Sequence, residues 1–188
     1  MKVFISGGNK CGKSMFAQRL SKSMTSPDAP LYYLATMIPA DDEDKARVSR
    51  HQKERAGWGF ETVEACRDIL TVVDRCDTRG VFLLDSVTAL LSNEMFMPDG
   101  HIDASAFRRV TEDLSEFLTK VAKAVVVSDF IYSDAYHYDQ FTEMYRRALA
   151  YIDKHIAKHC SIVIEACCGV IITHKGSNFL KDHQHVFD

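Results

Sequence analysis

Gly7-Gly8-Asn9-Lys10-Cys11-Gly12-Lys13-Ser14 is the stretch that decides how this chain folds. It fits the pattern G-x-x-x-x-G-K-[ST], a loop that cradles phosphate groups. Before it, Lys2-Val3-Phe4-Ile5-Ser6 is a short apolar run with β-branched residues, which predicts a buried strand. After it, Met15, Phe16, Leu20 and Met24 recur at helical spacing over residues 14–24. Strand, glycine loop, helix is the context the pattern requires. Glycines let several main-chain N–H groups point into one concavity, and the helix N-terminus adds partial positive charge. Lys13 is placed to reach the β- and γ-phosphates of a nucleoside triphosphate, and Ser14 to ligate Mg²⁺.

Outward from this loop, strand-like and helix-like segments alternate. Strands are predicted at residues 31–35, 60–63, 81–84, 124–127, 162–164 and 169–173, the last as a hairpin partner of the one before it. Helices are predicted at 41–56, 68–75, 87–96, 104–122 and 140–159. Such alternation implies an α/β fold with a mostly parallel central sheet covered on both faces. With the phosphate loop, it is the three-layer sandwich of a P-loop NTPase of RecA-like type. The 188 residues make one domain, 1–188, with residues 176–188 as a polar tail.

Composition narrows the class. Hydrophobic residues make up 46%, as in soluble globular proteins. A formal net charge of −3 argues against a general nucleic-acid binder. No apolar run reaches the length of a membrane span, and the start lacks the pattern of a signal peptide, so a cytoplasmic location is expected. The six cysteines have irregular spacing and no C-x-x-C. In a reducing compartment they are expected to be free thiols, mostly buried, with Cys11 filling the loop as a small residue.

Two further regions carry chemistry. Residues 81–85 form an apolar run ending in Asp85, and a carboxylate at such a strand end holds Mg²⁺ or its water in P-loop enzymes if that strand neighbours the first. Asp85-Ser86 before Val87 also reads as a helix N-cap. Asp129, ending the Val125-Val126-Val127 run, is a weaker competitor for the metal. Residues 41–56 begin acidic and turn basic, an order that suits the helix dipole, yet contain only Ala46, Val48 and Ala56 as apolar residues. Arg47, His51 and Arg55 share one face, which is either solvated or turned to a polyanion. A neutral imidazole at His51 is a good nucleophile toward phosphorus, and the neighbouring cations would hold polyphosphate oxygens. His155 and His159, beside Cys160, have metal-ligand spacing but no second pair to complete a site; His183 and His185 lie in the tail.

The chain resembles the bifunctional adenosylcobinamide kinase / adenosylcobinamide-phosphate guanylyltransferase family. The resemblance is carried by the phosphate loop, by Tyr33-Leu34-Ala35-Thr36, and by Asp42-Glu43 with Arg47-Val48-Ser49-Arg50-His51. It continues through Arg55, Trp58, Thr62-Val63-Glu64, and Leu84-Asp85-Ser86-Val87-Thr88 with Asn93. It implies an enzyme of cobalamin biosynthesis that phosphorylates adenosylcobinamide with ATP or GTP. It then transfers GMP from GTP to that phosphate through a guanylylated histidine.

By motif, Gly7, Gly8, Asn9, Lys10, Cys11, Gly12, Lys13 and Ser14 would bind nucleotide phosphates, and Ala35, Thr36 and Met37 would line the nucleotide site. His51 would be the guanylylated residue and Lys13 the catalytic cation. Gln52, Lys53, Glu54, Arg55, Glu64 and Asp85 would lie near the nucleotide, with Ser14 and Asp85 on Mg²⁺. The substrates are then a corrinoid and GTP or ATP, and a homotrimer is the assembly the family implies. The second half departs from the family: Ser128-Asp129-Phe130-Ile131-Tyr132 replaces its Asn-Glu-Val-Gly, and Asp153-Lys154 replaces its Asn-Gln. Those departures leave open a P-loop kinase with another small-molecule acceptor, or a nucleotide-sensing relative without catalysis.

Overall fold

The computed structural model describes residues 1–177; most of the predicted tail, with His183 and His185, lies outside the described residues. Strand β1 (Lys2–Gly7) explains why the sheet is parallel and central. Val3, Phe4 and Ile5 are all buried, so both faces of the strand are covered. The chain continues through α1 (Lys13–Ser23), β2 (Leu31–Ala35), α2 (Asp42–Glu54), β3 (Phe60–Glu64), α3 (Thr71–Arg75), β4 (Val81–Asp85) and α4 (Val87–Met95). It finishes with α5 (Ala106–Lys120), β5 (Lys123–Asp129), α6 (Gln140–His159), β6 (Ile162–Cys167) and β7 (Val170–Lys175). The seven strands lie in the order β3-β2-β4-β5-β1-β6-β7. Only β7 runs antiparallel, as the hairpin partner of β6.

Two apolar layers flank the sheet. Phe16, Ala17, Leu20 and Met24 pack against Val3, Ile5, Leu31, Val81, Leu83, Val125, Ile162 and Ile164 on one face. On the other face, α4, α5 and α6 supply Leu90, Leu91, Val110, Leu114, Phe117, Leu149, Ile152 and Ile156 against Phe4, Phe82, Leu84 and Val126. This is the predicted three-layer α/β sandwich. No helix among the described residues is long and apolar enough to cross a membrane.

Two expectations need correction. Helix α3 starts at Thr71 rather than at residue 68, because Asp68 has φ 47, a left-handed conformation that cannot begin a right-handed helix. The cysteines are free thiols, but they are not mostly buried. Only Cys160 is buried, and burial pushes its thiol up to about 12. Cys11, Cys66 and Cys76 are half-buried, while Cys167 and Cys168 are exposed, since they sit where β6 turns into β7.

Because β1 to β6 all run the same way, their carboxyl ends share one edge of the sheet. Gly7, Ala35, Glu64, Asp85 and Asp129 therefore end their strands on that edge, where open α/β sheets bind ligands.

Candidate active site

The glycine loop joins β1 to α1. Lys10 has φ 57 and Gly12 has φ 90, two left-handed residues of the kind from which anion-binding nests of main-chain N–H groups are built. Gly7 is required for a different reason. It lies between β5 and β6, and a Cβ there would stand 2.3 Å from the carbonyl oxygen of Ala166. Phe16 N–H donates to Gly12 O at 3.1 Å, which closes the first helical turn immediately after the loop. Lys13 folds back over the loop and is only 5% exposed. Its Nζ donates to Gly8 O at 2.6 Å and pairs with Asp129 Oδ1 at 2.8 Å. Cys11 Sγ lies 3.8 Å from the same Nζ.

Asp85 was expected to act on the metal if its strand adjoined β1. It does not: β5 lies between β4 and β1. Asp129, at the end of the inserted strand, is the carboxylate in register with Gly7. Asp85 is in register with Ala35 on β2 and Val127 on β5, and its Oδ2 accepts from Tyr33 Oη at 3.2 Å. Both carboxylates nevertheless reach one cavity, because the two strands end on the same edge.

Ala35 and Met37 line that cavity, but Thr36 does not belong with them. Thr36 is fully buried; its Oγ1 accepts from Ser86 N–H at 2.7 Å and donates to Ser86 O at 2.9 Å. Asn93 Nδ2 donates to Thr36 O at 2.7 Å and to Cys66 O at 2.9 Å. Thr36 and Asn93 thus tie together the ends of β2, β3 and β4, and shape the cavity wall from behind. The N-cap reading of the Asp85-Ser86 pair also holds, with Ser86 Oγ accepting from Ala89 N–H at 3.3 Å.

Helix α2 supplies the other wall. Asp41 caps it, its carboxylate accepting from Asp44 N–H at 2.8 Å, and the acidic first turn follows. Val48, His51, Gln52 and Arg55 reach the cavity. Arg55, at the helix C-cap, is 7% exposed. Its guanidinium lies 3.9 Å from the Tyr33 ring centroid and donates to Thr62 Oγ1 at 3.2 Å. The basic helix therefore turns His51 and Arg55 inward, while Arg50 and Lys53 are exposed. Lys53 is exposed and is not among the lining residues, and the side chains of Arg47 and Glu54 lie outside what the structure describes.

The cavity encloses about 630 Å³, a volume suited to a nucleotide. Ser14, Ala35, Met37, His51, Gln52, Arg55, Glu64 and Asp85 meet on it. Residues 7–13 of the loop are not among its lining residues, but Lys13 pairs with Asp129, which is. Tyr33, Thr62, Ser86, Thr88, Asp129 and Tyr145 line it as well and were missed as lining residues. The signal for Asp129 was present, a carboxylate ending an apolar strand, but strand order decides its rank. Tyr145 Oη donates to Thr88 O at 2.7 Å; burial, then the charges of Asp129 and Asp153, raise its pKa.

Behind β5, Asp153 of α6 is 2% exposed. Its Oδ2 accepts from Ser128 Oγ at 2.9 Å and from Tyr132 Oη at 3.3 Å, and burial pushes its carboxyl up to about 7. His155 and His159 build no metal site. His155 Nδ1 faces Tyr151 O at 2.7 Å, and no group of three or more metal-ligating side chains gathers among the described residues.

A glycine nest, a folded-back lysine and convergent carboxylates on a parallel sheet define the class: a P-loop nucleotide-binding α/β protein. The model of the cobinamide kinase / cobinamide phosphate guanyltransferase family matches residues 3–173, and the chain belongs to that family. Family membership makes it a transferase of cobalamin biosynthesis. No curated protein sequence matches the chain. Among solved structures it is similar to an ATPase domain, with a TM-score of 0.50 at 12% identity, over 87% of this chain and 68% of that one. It is also similar to the Pyrococcus horikoshii OT3 protein PH0250, with a TM-score of 0.50 at 9% identity, over 93% and 86%. The flagellar accessory protein FlaH from Methanocaldococcus jannaschii gives a TM-score of 0.43 at 15% identity, over 93% of this chain and 77% of that one. At such identities the first two likenesses establish the fold alone.

Proposed function

We propose that this chain phosphorylates the hydroxyl of adenosylcobinamide with ATP or GTP, and transfers GMP from GTP to the resulting phosphate through His51. One observation carries the reading: Ser14, His51, Arg55 and Asp85 line a single cavity together with Asp129, the ion-pair partner of Lys13. The glycine loop would hold the phosphates through its N–H groups, and Lys13 would offset charge on the transferring group. In guanylyl transfer the imidazole nitrogen of His51 forms a bond to Pα of GTP. The bond from Pα to the α–β bridging oxygen breaks, and pyrophosphate leaves with the electron pair. A phosphate oxygen of the acceptor then attacks Pα, and His51 departs as a neutral imidazole once the bond is exchanged. Splitting the transfer in two lets one site serve two acceptors in turn.

Although β4 does not adjoin β1, the donor set suits Mg²⁺, because the Ser14 hydroxyl and the Asp85 carboxylate, both hard oxygen ligands, line the same cavity. Ser14 and Asp85 would hold it together with phosphate oxygens, and bound there it would neutralise polyphosphate charge. Arg55, fixed between Tyr33 and Thr62, would meet the phosphates from the α2 side.

The test is incubation with α-labelled GTP. Label stays on the protein in an acid-labile, base-stable linkage and is lost in His51→Ala; it passes to added adenosylcobinamide phosphate. Label that persists in His51→Ala removes the covalent step. A different acceptor is the second reading. It is favoured by the loop after β5, where Phe130, Tyr136 and Tyr138 are exposed, and phosphoryl transfer to a panel of small alcohols in place of the corrinoid would establish it.

A further inference from the structure

Lys13 is a phosphate-binding cation by its place in the loop, yet its ammonium is already engaged. Gly8 O takes one direction at 2.6 Å and the Asp129 carboxylate another at 2.8 Å. An ammonium has three protons and the third faces Cys11 Sγ at 3.8 Å, so arriving polyphosphate competes with Asp129 for Lys13. Asp129 is held firmly in place. Its own N–H donates to Thr88 Oγ1 at 2.9 Å, it ends β5 in register with Gly7, and it lines the cavity. A carboxylate beside the lysine that draws in the terminal phosphate opposes binding by like-charge repulsion. It has a use there if it removes a proton from the group that attacks that phosphate.

We propose that Asp129 is the general base of the phosphoryl-transfer step, held by Lys13 until polyphosphate displaces it. This assignment rests on the functional reading above. The acceptor O–H proton passes to the Asp129 carboxylate as its oxygen forms a bond to Pγ. The bond from Pγ to the β–γ bridging oxygen breaks, and the electron pair leaves on the nucleoside diphosphate beside Lys13. The proton returns to water when product departs. Asp85 is the poorer candidate: it stands one strand further from the loop, and its Oδ2 is occupied by Tyr33 Oη.

Guanylylation of His51 supplies an internal control. Its attacking imidazole nitrogen carries a lone pair and no proton, so no base is needed, whereas a metal ligand would serve both reactions. Full-length wild type, Asp129→Asn and Asp129→Glu are therefore compared for phosphoryl transfer from ATP to adenosylcobinamide, for His51 labelling by α-labelled GTP, and for nucleotide affinity. In Asp129→Asn the ratio of phosphoryl transfer to His51 labelling falls by about 10²–10⁴, the usual contribution of a general base. Nucleotide affinity holds or tightens, because the competitor for Lys13 has lost its charge, and Asp129→Glu recovers part of the transfer. An unchanged ratio, including one in which both reactions fall together, overturns the assignment. A wild-type chain that phosphorylates no acceptor defeats the functional reading itself; transfer by wild type that Asp129→Asn equals defeats the base alone.

Discussion

Asp153 shows most clearly how one buried residue sets a measurable property. Its carboxyl is 2% exposed, set against Ser128 and Tyr132 and behind the Asp129 strand. Burial raises it from its ordinary 3.8 to about 7. Between those values the folded chain keeps a proton that the unfolded chain has released. Stability therefore falls as pH rises from about 4 to about 7, and the whole penalty persists above that range. Asp153→Asn removes this dependence. Thermal denaturation at pH 5 and pH 8 is expected to show the variant gaining on wild type at the higher pH, by about 1–3 kcal/mol. A wild type whose stability is flat across that range would show that Asp153 is charged in the folded chain.

At the scale of elements, α2 and α5 are opposites. Helix α5 buries Ala106, Val110, Leu114, Phe117 and Leu118, a stripe that anchors it to the sheet. Helix α2 has only Val48 turned toward the cavity among its few apolar residues, so it depends on its cap and on charge order along its dipole. The Asp41 cap is then disproportionately important for His51. Asp41→Ala is expected to cost about 1 kcal/mol, concentrated in α2 rather than in the whole domain. GTP affinity at the loop should hold while the rate of His51 labelling drops severalfold. Equal labelling rates in the two proteins would mean that packing, not capping, positions this helix.

Across the whole molecule, the nucleotide site exists only in the folded chain, because the loop, α2 and the ends of β2, β4 and β5 meet through tertiary structure. Ligand that binds only the folded state stabilises it, by about 2.7 kcal/mol at a concentration 100 times Kd. For a chain of this size that is a rise in melting temperature of roughly 5–10 °C. Saturating GTP should produce it in wild type and not in Lys13→Ala. An equal shift in the lysine variant would place the main binding energy outside the glycine loop.

The glycine loop, the strand before it and the helix after it were legible in the sequence because each is a local pattern: a turn that needs Gly12, a β-branched run, an apolar period of 3.6. His51, Arg55 and Glu64 were readable by resemblance, and the cavity brings them together. Thr36 was misjudged because a hydroxyl next to a site reads the same whether it faces ligand or, as here, ties two strand ends. The ranking of the two carboxylates was out of reach for a stronger reason. Asp85 and Asp129 end equally apolar strands, and nothing in either segment says which strand lies beside β1. That depends on how the α4–α5 crossover packs over the sheet, a sum of contacts between residues far apart in sequence. The sequence by itself determined the elements, the phosphate-binding turn and the family. Only the tertiary structure decided which acid meets Lys13, because periodicity is local and strand order is not.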